Sequence, residues 1–393
     1  MPLDFSLTAA QQEVQKRARG AFAPLRGWWK RGRHGDFAEA AWEALAGSGL
    51  LGTIVPREDG GTGEGVLALA LALEELGASG LPTMLPILTA IDAIGIARHG
   101  TPELRREVLP RVAAGKIKLC LALTEEEAGF NTFRTKTRAE RAGDTFRLHG
   151  AKIYISGADV ADYLLVLARS LSIADAAARG LPKTAGLTWL LVPAGAPGIR
   201  LEPLPTHGEG TLRQFAIELD GVEVPAANLL GREGEGFRVL VDLVNPERIL
   251  LSAQLTGAVR YCLEIACEHA RTRKVFDDVA IGAYQSVQHP LAEVRIRQEA
   301  VQIMAWRAAA LYDAGAHPKE VSFQASAAKF LAAELGVQAV DAALTTLGGK
   351  GFDERYGIFH LLEMVNLLKI APVGDALLLN LVAEGTLGLP RSY

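Results

Sequence analysis

Lys152-Ile153-Tyr154-Ile155-Ser156 is the stretch whose residue types most directly suggest chemistry. A side-chain period of two sets Lys152, Tyr154 and Ser156 on one face of a strand, and Ile153 and Ile155 on the other. That face offers an aromatic plane and, one pleat away, a hydroxyl. These are the contacts a flat conjugated ring uses for stacking and hydrogen bonding. An ordinary exposed sheet face carries Tyr and Ser just as readily. Asn245-Pro246-Glu247-Arg248 is the second candidate. Asn245 as cap and Pro246 at the first helical position put Glu247 in a first turn. There it complements the helix dipole, as acidic residues in first turns do. A proline kink within one longer helix is the other geometry.

Other chemistries fall away. Gly61-Thr62-Gly63-Glu64-Gly65 and Gly231–Gly236 look like dinucleotide loops, but helical segments flank the first and no βαβ unit surrounds either. Structural turns explain both. Cys267 sits roughly 140° round a helix from Cys262, so these two and His269 cannot converge on a metal. No His-Glu-x-x-His and no Gly-x-Ser-x-Gly occurs, which removes the zinc and serine hydrolase readings. Lys plus Arg (41) nearly balance Asp plus Glu (45), and no segment is strongly basic, which argues against nucleic acid. The longest clean apolar run, Val66 to Leu73, ends at Glu74-Glu75, so no membrane span is expected. Three cysteines form no disulfide framework, and with no leader pattern at the N-terminus the expectation is a cytoplasmic protein.

The elements that must position these residues come in three blocks. Helical patterns fill the first: Ala9–Ala21 behind a Thr8/Gln11 capping box, Phe37–Ala46, Val66–Leu76, and Pro102–Ala114 behind Thr101. From Lys118 the period drops to two. Gly150-Ala151 is expected to turn the chain, and Asp220-Gly221 reads as a hairpin turn between alternating runs. Ser170–Ala185 reads as a surface loop. Helical spacing returns after Gly231, with helices expected at Pro246–Arg273, Val287–Ala314, Pro318–Leu347 and Gly357–Ile370. The fold class is therefore α+β multidomain: an N-terminal helical domain (1–118), a central antiparallel β-domain (119–230) and a C-terminal four-helix bundle (231–393).

Across almost the whole chain, a distributed set of motifs resembles the acyl-CoA dehydrogenase family of flavoproteins. The motifs are Trp42…Gly49-Leu50-Leu51-Gly52…Pro56…Gly60-Gly61, Leu121-Ala122-Leu123-Thr124-Glu125…Ala128-Gly129, and Lys152 to Gly157. Asn245-x-Glu247-Arg248, Arg273-Lys274-x-Phe276, Gln285-x-Val287-Gln288 and Leu347-Gly348-Gly349-x-Gly351-Phe352 follow in family order. The resemblance implies FAD as cofactor, with Leu123 and Thr124 at the flavin's pyrimidine edge, Tyr154 stacked on the ring and Ser156 reaching N5. Arg273, Phe276, Gln285, Gly348 and Gly349 would hold the pyrophosphate and adenosine half of an FAD bound mainly to a neighbouring subunit. That makes a homodimer or tetramer, or a hetero-oligomer, the expected assembly.

The implied reaction is α,β-dehydrogenation of an acyl-CoA to the trans-2-enoyl-CoA, with an electron-transferring flavoprotein as acceptor. The family's usual C-terminal Glu-Gly-Thr is missing: Asp375 stands at the Glu position and Leu377 at the Thr. A second subgroup carries its base on the helix of Asn-x-Glu-Arg. Glu247 is therefore placed ahead of Asp375 as base, with Arg248 a nearby structural or thioester-side cation. Phe130 and Asn131 replace the usual Ser and Asp, and Thr345 a common Gln. The alternatives are a non-catalytic or half-site subunit of a hetero-oligomer, and an acyl-CoA oxidase-type flavoenzyme.

Overall fold

The computed structural model describes residues 6–30, 32–33, 35–207 and 210–391. Five helices open the chain: α1 (Ala9–Phe22), α2 (Glu39–Gly47), α3 (Val66–Ala78), α4 (Leu85–His99) and α5 (Pro102–Ala113). The Thr8/Gln11 capping box and the Thr101 cap are both formed. α3 and α4 are apolar on nearly every side and are buried almost throughout, as such helices must be. α4 had no counterpart in the sequence reading, because its uniform apolarity leaves no amphipathic period.

The middle of the chain builds β1 (Leu119–Ala122), β2 (Arg138–Ala142), β3 (Thr145–Ser156), β4 (Tyr163–Arg169), α6 (Ile173–Ala178), β5 (Leu187–Pro193), β6 (Ile199–Pro203), β7 (Gln214–Pro225) and β8 (Leu229–Leu230). The strand order is β6-β7-β3-β2-β4-β5-β8, with β1 added on β4. The sheet is mixed rather than purely antiparallel, since β1 and β2 both run parallel to β4. The expected turns at Gly150-Ala151 and Asp220-Gly221 do not exist. β3 and β7 are continuous and pair with each other; the register steps from Leu148↔Val222 to His149↔Asp220, leaving Gly221 as an extra residue. Gly221 (φ 67°) and Gly150 (φ 154°) supply conformations that serve a bulge as well as a turn. The expected loop 170–185 contains the short helix α6, capped by Ser172.

The C-terminal part comprises α7 (Gly236–Thr272), the hairpin β9 (Lys274–Val275) and β10 (Val279–Ala280), α8 (Gln285–Asp313), α9 (Pro318–Leu347), α10 (Ile358–Ile370) and α11 (Asp375–Gly385). α7 is one helix of 37 residues with Pro246 inside it, so Asn245 is not a cap and Glu247 is mid-helix. α11 adds a helix to the expected four. α3 crosses α7 at two glycines: a Cβ on Gly77 would stand 2.1 Å from Gln254 O, and one on Gly257 1.9 Å from Glu74 O. Asp313 at the end of α8 accepts from Val66 N and Leu67 N, both at 2.8 Å, and so caps α3.

Contrary to the sequence expectation, three segments are long and apolar enough, by length and composition, to cross a membrane: Gly236–Thr272, Pro318–Phe352 and Ile358–Gly385. Isolated charges interrupt their apolar runs, which is why a search for unbroken runs passes over them. The apolar stretch of α7 is 78% buried inside the protein, whereas that of Ile358–Gly385 is only 22% buried.

Candidate active site and cofactor cradle

The end of β1 and the end of β3 are tied together, Ile153 N donating to Thr124 O at 3.0 Å. Strict alternation fails here. The β3–β7 register shifts between Lys152 and Ile155, and Tyr154 adopts φ 57°, a rare conformation for a bulky residue. The bulge sends Lys152 inward, to 1% exposure, while Tyr154 stays 54% exposed and Ser156 half-buried. Tyr154 and Ser156 are both accessible; Lys152 does not share their face. Its ammonium donates to Glu125 Oε1 at 2.8 Å and Leu123 O at 3.0 Å. Glu125 also accepts from the amides of Lys136 and Thr137. Burial lowers the Lys152 amine to about 8; burial alone would raise Glu125, but Lys152 and these amides hold it below the usual carboxylate range. The buried pair fixes the loop after β1. The hydroxyls of Thr124 and Ser156 make no hydrogen bond among the described residues.

A second cluster gathers where α7, α9 and the start of α11 meet. The Glu247 side chain is buried (3% exposed) and accepts no hydrogen bond among the described residues. Burial pushes its carboxyl up to about 8, against the pull of Arg248 and Lys329. Arg248 is wholly engaged, donating to Val244 O (3.0 Å), Asn245 Oδ1 (2.6 Å) and Ser326 Oγ (2.6 Å). It fastens α7 to α9, and burial lowers it to about 10. Lys329, 1% exposed on α9, donates to Val373 O (2.9 Å) and Asp375 Oδ1 (3.0 Å). Asp375 is thus ion-paired at the first position of α11. Phe130, on the loop fixed by Glu125, reaches the same place: a Cβ on Gly374 would stand 2.6 Å from its ring.

Lys329 and, on α4, the fully buried Asp92 belong to this region and were missed from sequence. Each is a single charge inside an alanine- or isoleucine-rich helical run, Ala325–Ala332 and Ala90–Ile94. That is a signal for a buried ionisable group.

The remaining candidates lie at the far end of the bundle. Arg273 ends α7 and leads into the β9–β10 hairpin, whose turn residues Phe276, Asp277 and Asp278 all have positive φ (32°, 39° and 66°). Phe276 is 82% exposed. Gln285 is the exposed first residue of α8. Gly348 (φ 57°) and Gly349 follow α9 with open space on their Cβ sides. Lys350 and Arg273 both act on His269, so the two stretches are neighbours. Arg273 is 26 residues beyond Glu247 on α7, roughly 39 Å away. One chain therefore holds Arg273 and its neighbours far from Glu247.

Family models describe the whole arrangement: acyl-CoA dehydrogenase N-terminal domain at residues 6–116, middle domain at 120–222 and C-terminal domain at 234–387. Acyl-CoA dehydrogenase FadE12 of Mycobacterium tuberculosis is 36% identical over 364 residues, 92% of each chain. The chain belongs to the acyl-CoA dehydrogenase family. Among solved structures it resembles a glutaryl-coenzyme A dehydrogenase–glutaryl-CoA complex (TM-score 0.89, 25% identity, covering 99% of this chain and 98% of that one). It likewise resembles butyryl-CoA dehydrogenase from Megasphaera elsdenii (TM-score 0.88, 26% identity, covering 98% and 100%).

Acyl-CoA dehydrogenases are FAD-dependent oxidoreductases, and this chain is one of them. The residues present fit that cofactor. A bare phenol and an unengaged hydroxyl at the end of β3 stand on a segment hydrogen-bonded to the one that carries the Thr124 hydroxyl just beyond β1, and glycines with room beside them stand at the other group, where backbone amides can approach a phosphate.

Proposed function

We propose that the chain oxidises an acyl-CoA thioester to the trans-2-enoyl-CoA, with Glu247 as the base. The observation that carries this reading is the contrast between two acids. Glu247 is buried, free of hydrogen bonds among the described residues and raised to about 8, whereas Asp375 is clasped by Lys329. A general base works best when its pKa lies near the working pH. Glu247 takes the α-proton. The first amides of α11, whose Gly374 cap has no side chain to cover them, donate to the thioester oxygen as charge develops there. Arg248 positions α7 and does not touch the substrate. FAD, when bound, supplies the acceptor for the β-hydride, with Leu123, Thr124, Tyr154 and Ser156 holding its ring. Burial of Glu247 keeps bulk water from the reacting carbons.

The second group, Arg273, Phe276, Gln285, Gly348 and Gly349, serves the FAD of another copy, in a homodimer or tetramer. Its distance from Glu247 along α7 and the bareness of Phe276 support this. An electron-transferring flavoprotein is the expected electron acceptor, and a cytoplasmic setting goes with three cysteines that form no disulfide.

The test is the visible spectrum of the purified chain titrated with straight and branched acyl-CoAs. Bleaching is expected for wild type and Asp375→Asn, and its loss for Glu247→Gln. Bleaching that persists in Glu247→Gln rejects this base, a colourless purified chain favours a half-site subunit, and peroxide release identifies an oxidase.

A further inference from the structure

α4 and α7 run in opposite directions along a shared seam. Gln254 Nε2 donates to Thr83 O at 3.0 Å at one end, and at the other His99 Nε2 lies 2.8 Å from Asp242 Oδ2. Between these ends sits Asp92, 0% exposed, with neither carboxyl oxygen hydrogen-bonded among the described residues. Thr83 Oγ1 and Gln254 Oε1 in the same seam are buried and unpartnered as well. Asp92 lies near enough to Glu247 to feel its charge. The cations behind Glu247 are already engaged, Arg248 by Asn245 and Ser326, and Lys329 by Asp375 and Val373. Neither is bonded to Asp92.

Buried carboxyls in folded proteins are almost always paired, and an orphaned one costs the full desolvation of the group. Here the orphans are the two Asp92 oxygens beside the base and, further along the seam, the Gln254 amide oxygen and the Thr83 hydroxyl. A ligand hydroxyl, which both donates and accepts, would satisfy such groups. Burial and the Glu247 charge both favour the neutral acid at Asp92. A neutral carboxyl can accept from one hydroxyl and donate to it without burying net charge, which an ammonium would bring in.

We propose that Asp92, with Gln254 and Thr83 further along the seam, is a polar recognition point for the acyl chain next to Glu247, selecting thioesters whose chain carries a hydroxyl beyond the β-carbon. The proposal rests on the assignment of Glu247 as base and adds a substrate class to it. Sites built to hydrogen-bond a substrate hydroxyl reject the analogue lacking it far more strongly than apolar pockets reject an extra methylene.

The test uses FAD-loaded enzyme and matched CoA esters of equal chain length, saturated alkyl against chains hydroxylated at successive positions beyond Cβ. Both kcat/KM and the calorimetric Kd of the corresponding 2-enoyl products are measured. Wild type is expected to favour one hydroxyl position by about 10-fold or more. Asp92→Leu is expected to abolish or invert that ratio while still turning over alkyl esters, and Asp92→Asn to keep part of it. Equal handling of the two series by wild type, or a ratio unchanged in Asp92→Leu, overturns the proposal. So does a stronger preference for the matching amino-substituted chain. If Asp92→Leu does not fold, the wild-type ratio and Asp92→Asn decide. Glu247-dependent turnover of alkyl esters without hydroxyl preference removes the Asp92 role alone. No bleaching by any ester removes the dehydrogenase reading with it.

Discussion

At the scale of single residues, burial decides what Glu247 does. Its carboxyl rises from the ordinary glutamate value to about 8 because charge is costly at 3% exposure. In free enzyme the basic form is then the minority below pH 8. We expect kcat/KM to climb about tenfold per pH unit toward 8 and level off above it, and Asp375→Asn to leave that limb in place. The stability consequence has the opposite sign. Between the ordinary value and about 8 the folded chain keeps a proton that the unfolded chain has lost, so this group's contribution falls as pH rises through that window. Glu247→Gln should match wild type in a pH 5 melt and exceed it at pH 9 by a few kcal/mol, roughly 1.4 per pK unit. Equal melting at both values would show the carboxyl to be solvated.

Type and spacing single out Tyr154, Ser156 and Glu247 in the sequence, and the family resemblance adds Thr124; the structure leaves Tyr154 and Ser156 accessible and buries Glu247. The sequence period misplaces Lys152, because a bulge that shifts register by one residue leaves no mark on composition. Asp92 and Lys329 escaped for a different reason. Whether a lone charge in an apolar helix faces solvent or a neighbouring helix depends on packing that one sequence does not display.

At the scale of elements, α7 carries the base, and its placement against α3 depends on Gly77 and Gly257. At both, an added Cβ would meet backbone rather than a movable side chain. Gly257→Ala therefore forces the helices apart, at a cost of about 2–3 kcal/mol. Thermal unfolding should report the loss. Bleaching by substrate should slow in the variant that remains folded, since Glu247 rides on the displaced helix. The lengths of α8, α9 and α10 were legible from helical spacing. The start of α7 was not, because Asn245-Pro246 has the form of a helix beginning. From sequence β3 and β7 each read as two strands for a similar reason: glycines that make turns also make bulges.

At the scale of the whole molecule, apolar surface remains without a partner. Ile370, Leu379, Leu381, Leu387 and Leu389 on and around α11 are each about half exposed or more, as is the ring of Phe276. Patches of this kind mark contact surfaces. Phe276→Ala should leave the melting of the FAD-free chain within about 0.5 kcal/mol, since the ring packs on almost nothing of its own. FAD content per purified chain should drop several-fold; unchanged content would place the ring outside the cofactor's reach.

The bare tip of the β9–β10 hairpin also turns colour into a stoichiometric readout. If one copy's tip completes the neighbour's flavin cleft, each cleft answers to the genotype of the chain across from it. In mixtures refolded from wild-type and Phe276→Ala protein, yellow absorbance should then fall in direct proportion to the mutant fraction. Simple dilution of wild type should instead release pigment in step with dissociation, and re-concentration should restore it.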